Sequence, residues 1–329
     1  MENKDRAIDF INNIEGDIGI YFHNDADGVC SAVLMLNMLL ERGLKPKLYC
    51  TGLDLKDFEK INLHDNCIIV DLAIDQYPIL FNYFRKSNVL IVDHHPISTD
   101  LNKIGFIHVN PRFEAPNKYI SASEICWILY KELGDENLEW VARVGATGDN
   151  SIEGTNRERK AAEICAAVKA LKKTKGLISL AKFMSKCKNI SEFLKNEDYL
   201  QMRSELINEL DKQIALFEIS TTGDPIFFQV KSKYSILSTL INRAFEEHPK
   251  KTLIFYRKSG PIYKISGRSK KYDLGKLFNK ASKGIGVGGG HPVAAGAEVR
   301  DFMKFKTEIL KLTKKSTKLG KKGIFNFNI

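Results

Sequence analysis

Two short apolar runs constrain most tightly what this chain can fold into: Cys67 to Asp71 (C-I-I-V-D) and Val89 to Asp93 (V-L-I-V-D). Each is a continuous, largely β-branched stretch that stops abruptly at Asp. Runs of this kind are buried strands of a parallel sheet covered on both faces. Ile18 to His23 and Lys47 to Thr51 read as further strands. Gly28 to Leu40, Tyr77 to Lys86 and Ser121 to Leu133 read as helices, and Leu138 to Ala146 leads into Gly148-Asp149. The alternation predicts an α/β domain with a Rossmann-like parallel sheet, in which ligands gather at the carboxyl ends of the strands.

The chemistry-bearing residues fall at those ends. Four places carry them: His23-Asn24-Asp25-Ala26-Asp27-Gly28, Asp71, Asp93-His94-His95, and Asp149 in G-A-T-G-D-N. Each is read as the point where a strand stops. If the strands are neighbours, five carboxylates and three imidazoles converge on one spot. Carboxylates crowded in this way repel one another unless cations neutralise them, so a divalent metal is implied. Mixed carboxylate and imidazole ligands suit Mn²⁺ or Co²⁺ better than Mg²⁺. A single strand-end Asp is equally at home as a helix N-cap, and a lone loop histidine needs no function; the combination carries the inference. The first motif is not a calcium loop, since its first and twelfth positions would be His23 and Leu34.

The rest of the chain reads differently. Residues 157–220 have helical apolar spacing, and a boundary is expected near Thr221 to Pro225. Ile226 to Val230, Thr252 to Tyr256 and Ile262 to Gly267 follow as short strands, then a helix and a glycine-rich turn at Gly284 to Gly289. That turn spells G-x-G-x-x-G, but no buried strand precedes it, which argues against a dinucleotide fingerprint. The better reading is a phosphate cradle, because consecutive glycines let backbone N–H groups approach an anion. Arg268 and His291 would add charge-assisted hydrogen bonds and Ser269 a hydroxyl. Charge supports this division. The net +10 of the 329 residues splits into 25 basic and 29 acidic groups in residues 1–200, and 25 basic and 11 acidic groups in residues 201–329. A basic second half suits a polyanion. Tyr256, Tyr263 and Tyr272 offer faces for base stacking or, equally, for core packing. The six cysteines form no C-x-x-C, no window of about 18 apolar residues occurs, and the first ten residues lack a signal-peptide core. Zinc-finger, membrane-spanning and secreted disulfide classes are set aside, and a cytoplasmic location is expected.

The order H-x-D-x-D-G, strand-end Asp, Asp-His-His and Gly-x-x-Gly-Asp resembles the DHH phosphoesterase superfamily. That superfamily includes RecJ-type exonucleases, nano-RNases, cyclic-dinucleotide phosphodiesterases and family II pyrophosphatases. Tyr263 to Ser269 followed by Gly288-Gly289-Gly290-His291-Pro292-Val293-Ala294-Ala295-Gly296 resembles its DHH-associated domain. The resemblance implies a metal-binding catalytic domain over 1–190, a helical linker over 191–222 and a smaller α/β substrate-binding domain with a Lys-rich tail over 223–329. It implies two Mn²⁺ ions, with Mg²⁺ or Co²⁺ as substitutes. His23 and Asp25 would hold one, Asp27, His94 and Asp149 the other, and Asp71 would bridge them. Asp93 would orient a ligand, His95 would face the scissile phosphate, and Arg268, Ser269, Gly288, Gly289, Gly290 and His291 would hold the substrate. The implied activity is exonucleolytic release of nucleoside monophosphates from single-stranded nucleic acid or short oligonucleotides, with 3′→5′ polarity favoured. The rivals are hydrolysis of a cyclic dinucleotide, pyrophosphate or polyphosphate, and a non-catalytic replication or repair scaffold. The Lys-rich tail and the apolar Gly323 to Ile329 offer a contact for a helicase-type partner.

Overall fold

The computed structural model describes residues 3–53, 55–58, 61, 63–133, 136–219 and 223–320. The apolar segment Gly323 to Ile329 lies outside the described residues. The chain divides into two compact units, Met1–Leu206 and Ile207–Ile329.

The first unit opens with α1 (Lys4–Asn13), β1 (Ile18–His23), α2 (Ala26–Leu40), β2 (Lys47–Thr51), α3 (Leu55–Phe58), β3 (Asn66–Val70), α4 (Pro78–Tyr83), β4 (Asn88–Val92) and β5 (Ile107–Val109). The five strands form one sheet in the order β2-β1-β3-β4-β5, and every pairing is parallel. Side chains alternate between its faces. Ile20, Phe22, Ile68, Val70, Leu90 and Val92 enter one core, filled from above by α2. Tyr21, Cys67, Ile69, Val89 and Ile91 enter the other, against Phe58, Leu80 and Phe84. Both faces are covered, which is why the strands read as unbroken apolar runs. For the same reason α2 is apolar all round: every residue from Ala26 to Leu39 is buried.

The unit continues with α5 (Ala122–Leu133), α6 (Glu139–Gly148), α7 (Asn156–Met184), α8 (Ile190–Phe193) and the first half of α9 (Glu197–Ile219). Asp149 therefore follows a helix, not a strand. The apolar residues before it, Val141, Ala142, Val144 and Ala146, are buried at helical spacing, where a strand end was expected. α7 begins with a capping box: Thr155 Oγ1 accepts from Glu158 N, and the Glu158 carboxylate accepts from Thr155 N at 2.6 Å. α7 bends at Lys173, whose φ of 59° and ψ of −156° are non-helical.

The second unit takes the rest of α9, then β6 (Ile226–Gln229), α10 (Leu237–Glu247), β7 (Leu253–Ser259), β8 (Ile262–Arg268), α11 (Leu274–Ser282), β9 (Gly286–Gly290), β10 (Ala294–Val299) and α12 (Phe302–Gly320). Its sheet runs β6-β7-β8-β10-β9, with β6 and β7 parallel and the other pairs antiparallel. The glycine-rich segment, expected as a turn, is an edge strand instead. Each of its five residues pairs with β10, from Gly286↔Val299 to Gly290↔Ala295; strand pairing with a regular neighbour overrides the low β-propensity of glycine. Tyr256 stacks on Phe302 with ring centroids 3.7 Å apart, and Tyr263 and Tyr272 pack against the same core, so these aromatics are packing residues. All six cysteines are free. Among the described residues no helix is long and apolar enough to cross a membrane.

Candidate metal centre

In the first sheet, strand order reverses between β1 and β3. A crevice forms at the carboxyl ends of two such strands, because their connections leave in opposite directions. His23 ends β1 and Asp71 follows β3 immediately. Asp25 is the N-cap of α2, its carboxylate accepting from Gly28 N at 3.0 Å. Asp27, in the first turn of α2, is buried and accepts from Ala122 N at 2.7 Å and Ser123 N at 2.9 Å, at the start of α5. Asp71 is 3% exposed and adopts a left-handed φ of 56°, a conformation that Asp tolerates better than most residues. Asp93, His94 and His95 follow β4, and Asp149 caps α6 at its C-terminus.

These side chains converge. His23 Nδ1 lies 2.5 Å from Asp25 Oδ2 and 3.5 Å from Asp71 Oδ2. His94 Nε2 lies 3.3 Å from Asp71 Oδ1 and 4.0 Å from Asp27 Oδ2, and its Nδ1 lies 3.7 Å from Asp149 Oδ2. Three donor sets each bring one ligand atom per residue within 4.8 Å of the others: His23, Asp25 and Asp71; Asp27, His94 and Asp149; and Asp71, His94 and His95. Asp71 belongs to two of them. Asp71 Oδ2 and His94 Nδ1 are buried without a hydrogen-bond partner, an arrangement that costs free energy unless something else satisfies them. Orphaned polar atoms in a cluster of carboxylates suit a divalent cation.

The electrostatics say the same. Burial, with Asp71 and Asp149 nearby, pushes the Asp27 carboxyl well above the usual range. Burial, Asp71 and Asp25 also raise Asp149, against the pull of His94 and Tyr119. Burial disfavours a charged His94, but Asp71, Asp27 and Asp149 outweigh it and lift its pKa to about 9. His23 is likewise raised by Asp25 and Asp71 against its burial. Without cations, protons are drawn in to neutralise the cluster.

Asp93 is 1% exposed and grips His95, accepting from its backbone N at 3.3 Å and lying 2.8 Å from its Nδ1. The residue that Asp93 orients is thus His95, a member of one of the three donor sets. Three further residues were not singled out. Asn110 Nδ2 donates to His95 O at 3.0 Å, and Arg112 Nε donates to His94 O at 2.7 Å. The Tyr119 hydroxyl donates to Asp149 Oδ2 at 2.7 Å, and its ring meets His94 edge-on at 5.4 Å. All three lie in the irregular stretch between β5 and α5, where no periodicity marks them; Asn110-Pro111-Arg112 right after a strand was the available signal.

In the second unit, β10 pairs Ala295 with Gly267 on one side and Gly290 on the other. Arg268 and the glycine strand therefore reach the same end of the sheet. Arg268 donates to Asn242 Oδ1 at 2.8 Å and to Gly267 O at 2.8 Å, and makes no ion pair among the described residues. His291 is exposed just past β9, beside Gly288, Gly289 and Gly290. A Cβ at Gly289 would meet nothing within 4 Å, so packing does not require glycine there, and the open backbone is accessible to a ligand. Ser269 departs from expectation. It is fully buried, its hydroxyl 3.0 Å from Thr252 Oγ1 and accepting from Lys271 N at 3.0 Å. It braces the end of β8 and does not face a substrate.

Residues 17–148 match the N-terminal domain of the DHH family, and residues 223–318 match the DHHA1 domain. The chain belongs to the DHH phosphoesterase superfamily. RecJ from Thermus thermophilus in complex with Mn²⁺ superposes with a TM-score of 0.74 at 13% identity, over 96% of this chain and 55% of that one. Exonuclease RecJ bound to manganese superposes with a TM-score of 0.71 at 14% identity, over 94% of each chain. At such identities the likeness is one of fold. A curated relative, the uncharacterized protein MJ0831 of Methanocaldococcus jannaschii, is 27% identical over 161 residues, which span 44% of this chain and 36% of that protein.

Proposed function

We propose that this protein is a divalent-metal-dependent phosphodiesterase that removes nucleoside monophosphates from single-stranded nucleic acid or short oligonucleotides. The carrying observation is the convergence of His23, Asp25, Asp27, Asp71, His94 and Asp149 on one crevice, with buried Asp71 Oδ2 and His94 Nδ1 left without a hydrogen-bond partner. His23 and Asp25 would hold one ion, Asp27, His94 and Asp149 a second, and Asp71 both; Mn²⁺ fits this donor set, with Mg²⁺ and Co²⁺ as substitutes. When bound, such ions activate water near neutral pH and neutralise the charge of a transferring phosphoryl group.

The chain's own residues do the rest. Asp93 fixes the ring of His95 through Nδ1, leaving Nε2 for a phosphate oxygen. The same contact raises the His95 pKa against the effect of burial, keeping Nε2 a donor over more of the neutral range. Tyr119 holds Asp149, and Arg112 and Asn110 hold the backbone of the two histidines. In the second unit, Arg268, His291 and the open backbone at Gly289 would supply a grip for a phosphate.

The test is incubation of 5′- and 3′-labelled single-stranded RNA and DNA with the protein and Mn²⁺, Mg²⁺ or Co²⁺. Stepwise mononucleotide release is expected, abolished by chelator and by Asp71→Ala and strongly reduced by His291→Ala. Comparing the two labels fixes the polarity, expected as 3′→5′. Cleavage confined to cyclic dinucleotides or polyphosphate would replace the nuclease reading by its small-substrate rival. Binding of strands without cleavage of any of these substrates would leave only a scaffold role.

A further inference from the structure

The first unit is acidic on balance, yet one stretch of it is not. Between Ile164 and Ile190 there are seven lysines, at 169, 172, 173, 175, 182, 186 and 188, and no Asp or Glu. Four of them occupy one part of α7. Lys169 and Lys172, three apart on the helix, share a face; past the bend at Lys173, Lys175 returns to the same side and lines one groove with Lys172. Lys172, Lys173 and Lys175 are exposed and make no ion pair among the described residues. Elsewhere in the unit lysines do find carboxylates, as Lys4 finds Glu132 at 2.8 Å and Lys47 finds Asp17 at 3.4 Å.

The stripe has a floor. Beside the bend at Lys173 lies a groove of ≈ 300 Å³ lined by Lys172, Lys175, Ser179, Tyr199 and Met202. Tyr199, from the start of α9, is half-buried: its ring packs against Phe183 at 5.3 Å and Phe193 at 6.4 Å between centroids, and its remaining surface lines the groove. An aromatic ring and a thioether flanked by two unpaired ammonium groups match a nucleotide, with its flat base and anionic phosphate. The N-terminal part of α7 packs beside the candidate metal centre: a Cβ at Gly148, next to Asp149, would lie 3.5 Å from Ala162 Cβ.

We propose that this lysine stripe and the Tyr199 groove form a track for single-stranded nucleic acid, holding the part of the strand that lies beyond the phosphodiester at the metal centre. The proposal rests on the nuclease reading and deepens it: the protein favours strands long enough to reach the groove over dinucleotides.

The test has two arms, both on the full chain. In the first, binding of a fluorescein-labelled twelve-nucleotide single strand is followed by anisotropy in chelator, where nothing is cleaved. Lys172→Glu/Lys175→Glu is expected to weaken binding about tenfold or more at low salt. Its log affinity against log salt should flatten by about 1.4, for two single-strand phosphate contacts. Tyr199→Leu is expected to weaken binding about fivefold or more with the salt slope kept. In the second arm, Mn²⁺-dependent cleavage of the same strand and of a dinucleotide are compared, and the loss in the double variant should be about tenfold greater for the long strand. Unchanged affinity and slope in the double variant, equal losses on both substrates, or no binding by the wild type would overturn the track. A wild type that binds the strand through these lysines but cleaves nothing would leave the track standing and remove the nuclease.

Discussion

Gly28 closes H-N-D-A-D-G for a steric reason. A Cβ there would lie 2.3 Å from the His23 carbonyl oxygen, and neither backbone can yield without moving His23 or Asp25. Gly28→Ala is therefore expected to destabilise the fold by about 1–3 kcal/mol and to weaken Mn²⁺ binding, read by melting and calorimetry on the same sample. Tyr119→Phe removes the hydroxyl that contacts Asp149 Oδ2 at 2.7 Å and Asp149 O at 3.1 Å, and little else. It should cost about tenfold in Mn²⁺ affinity with a melting temperature close to wild type. The pH dependence has a definite sign. The pKa of His94, about 9 without metal, means the ring is protonated at pH 7 and must lose that proton to become a ligand. Mn²⁺ affinity should rise with pH by up to about tenfold per unit and level off above about pH 9, with proton release seen as a buffer-dependent enthalpy. The acidic and histidine residues were legible in the sequence because they cluster in short motifs behind apolar runs. Tyr119 and Arg112 were not, because their roles depend on where an irregular loop folds back.

At the scale of elements, the parallel sheet was the most legible part, since strands buried on both faces leave runs such as C-I-I-V. α6 was harder: Val141, Ala142, Val144 and Ala146 permit a short strand as readily as a helix, and only packing against α2 and α5 decides. β9 was illegible for the opposite reason, as five residues with four glycines carry no strand signal and owe their state to β10. α7 offers a direct test of local energetics. Burial opposes ionisation of Glu158, but the Arg143 guanidinium 2.5 Å away and the Thr155 backbone and hydroxyl hold its carboxyl below the usual range. A lowered acid stabilises the fold fully above its unfolded pKa of about 4.3 and loses that contribution as the pH falls through the folded value. Glu158→Ala should cost about 1–2 kcal/mol at pH 7. The difference in melting temperature between wild type and Glu158→Gln should shrink as the pH drops below about 4.

Across the whole molecule, the net charge of +10 conceals two unlike halves. The acidic half carries the cluster of carboxylates, and the basic half carries Arg268, His291 and the glycine strand. The lysines of α7 qualify that division, since they put a basic stripe inside the acidic half. Bound divalent ions would add further positive charge beside that stripe and turn the crevice from a repeller into an attractor of polyanions. Everything proposed about catalysis depends on that inversion, so the most direct test counts metal. Equilibrium dialysis against Mn²⁺ near neutral pH should find two ions per chain in the wild type, and fewer than one in Asp71→Ala, because Asp71 is shared by both donor sets. A wild type that retains no Mn²⁺, or an Asp71→Ala variant that retains as much as the wild type, would contradict the account.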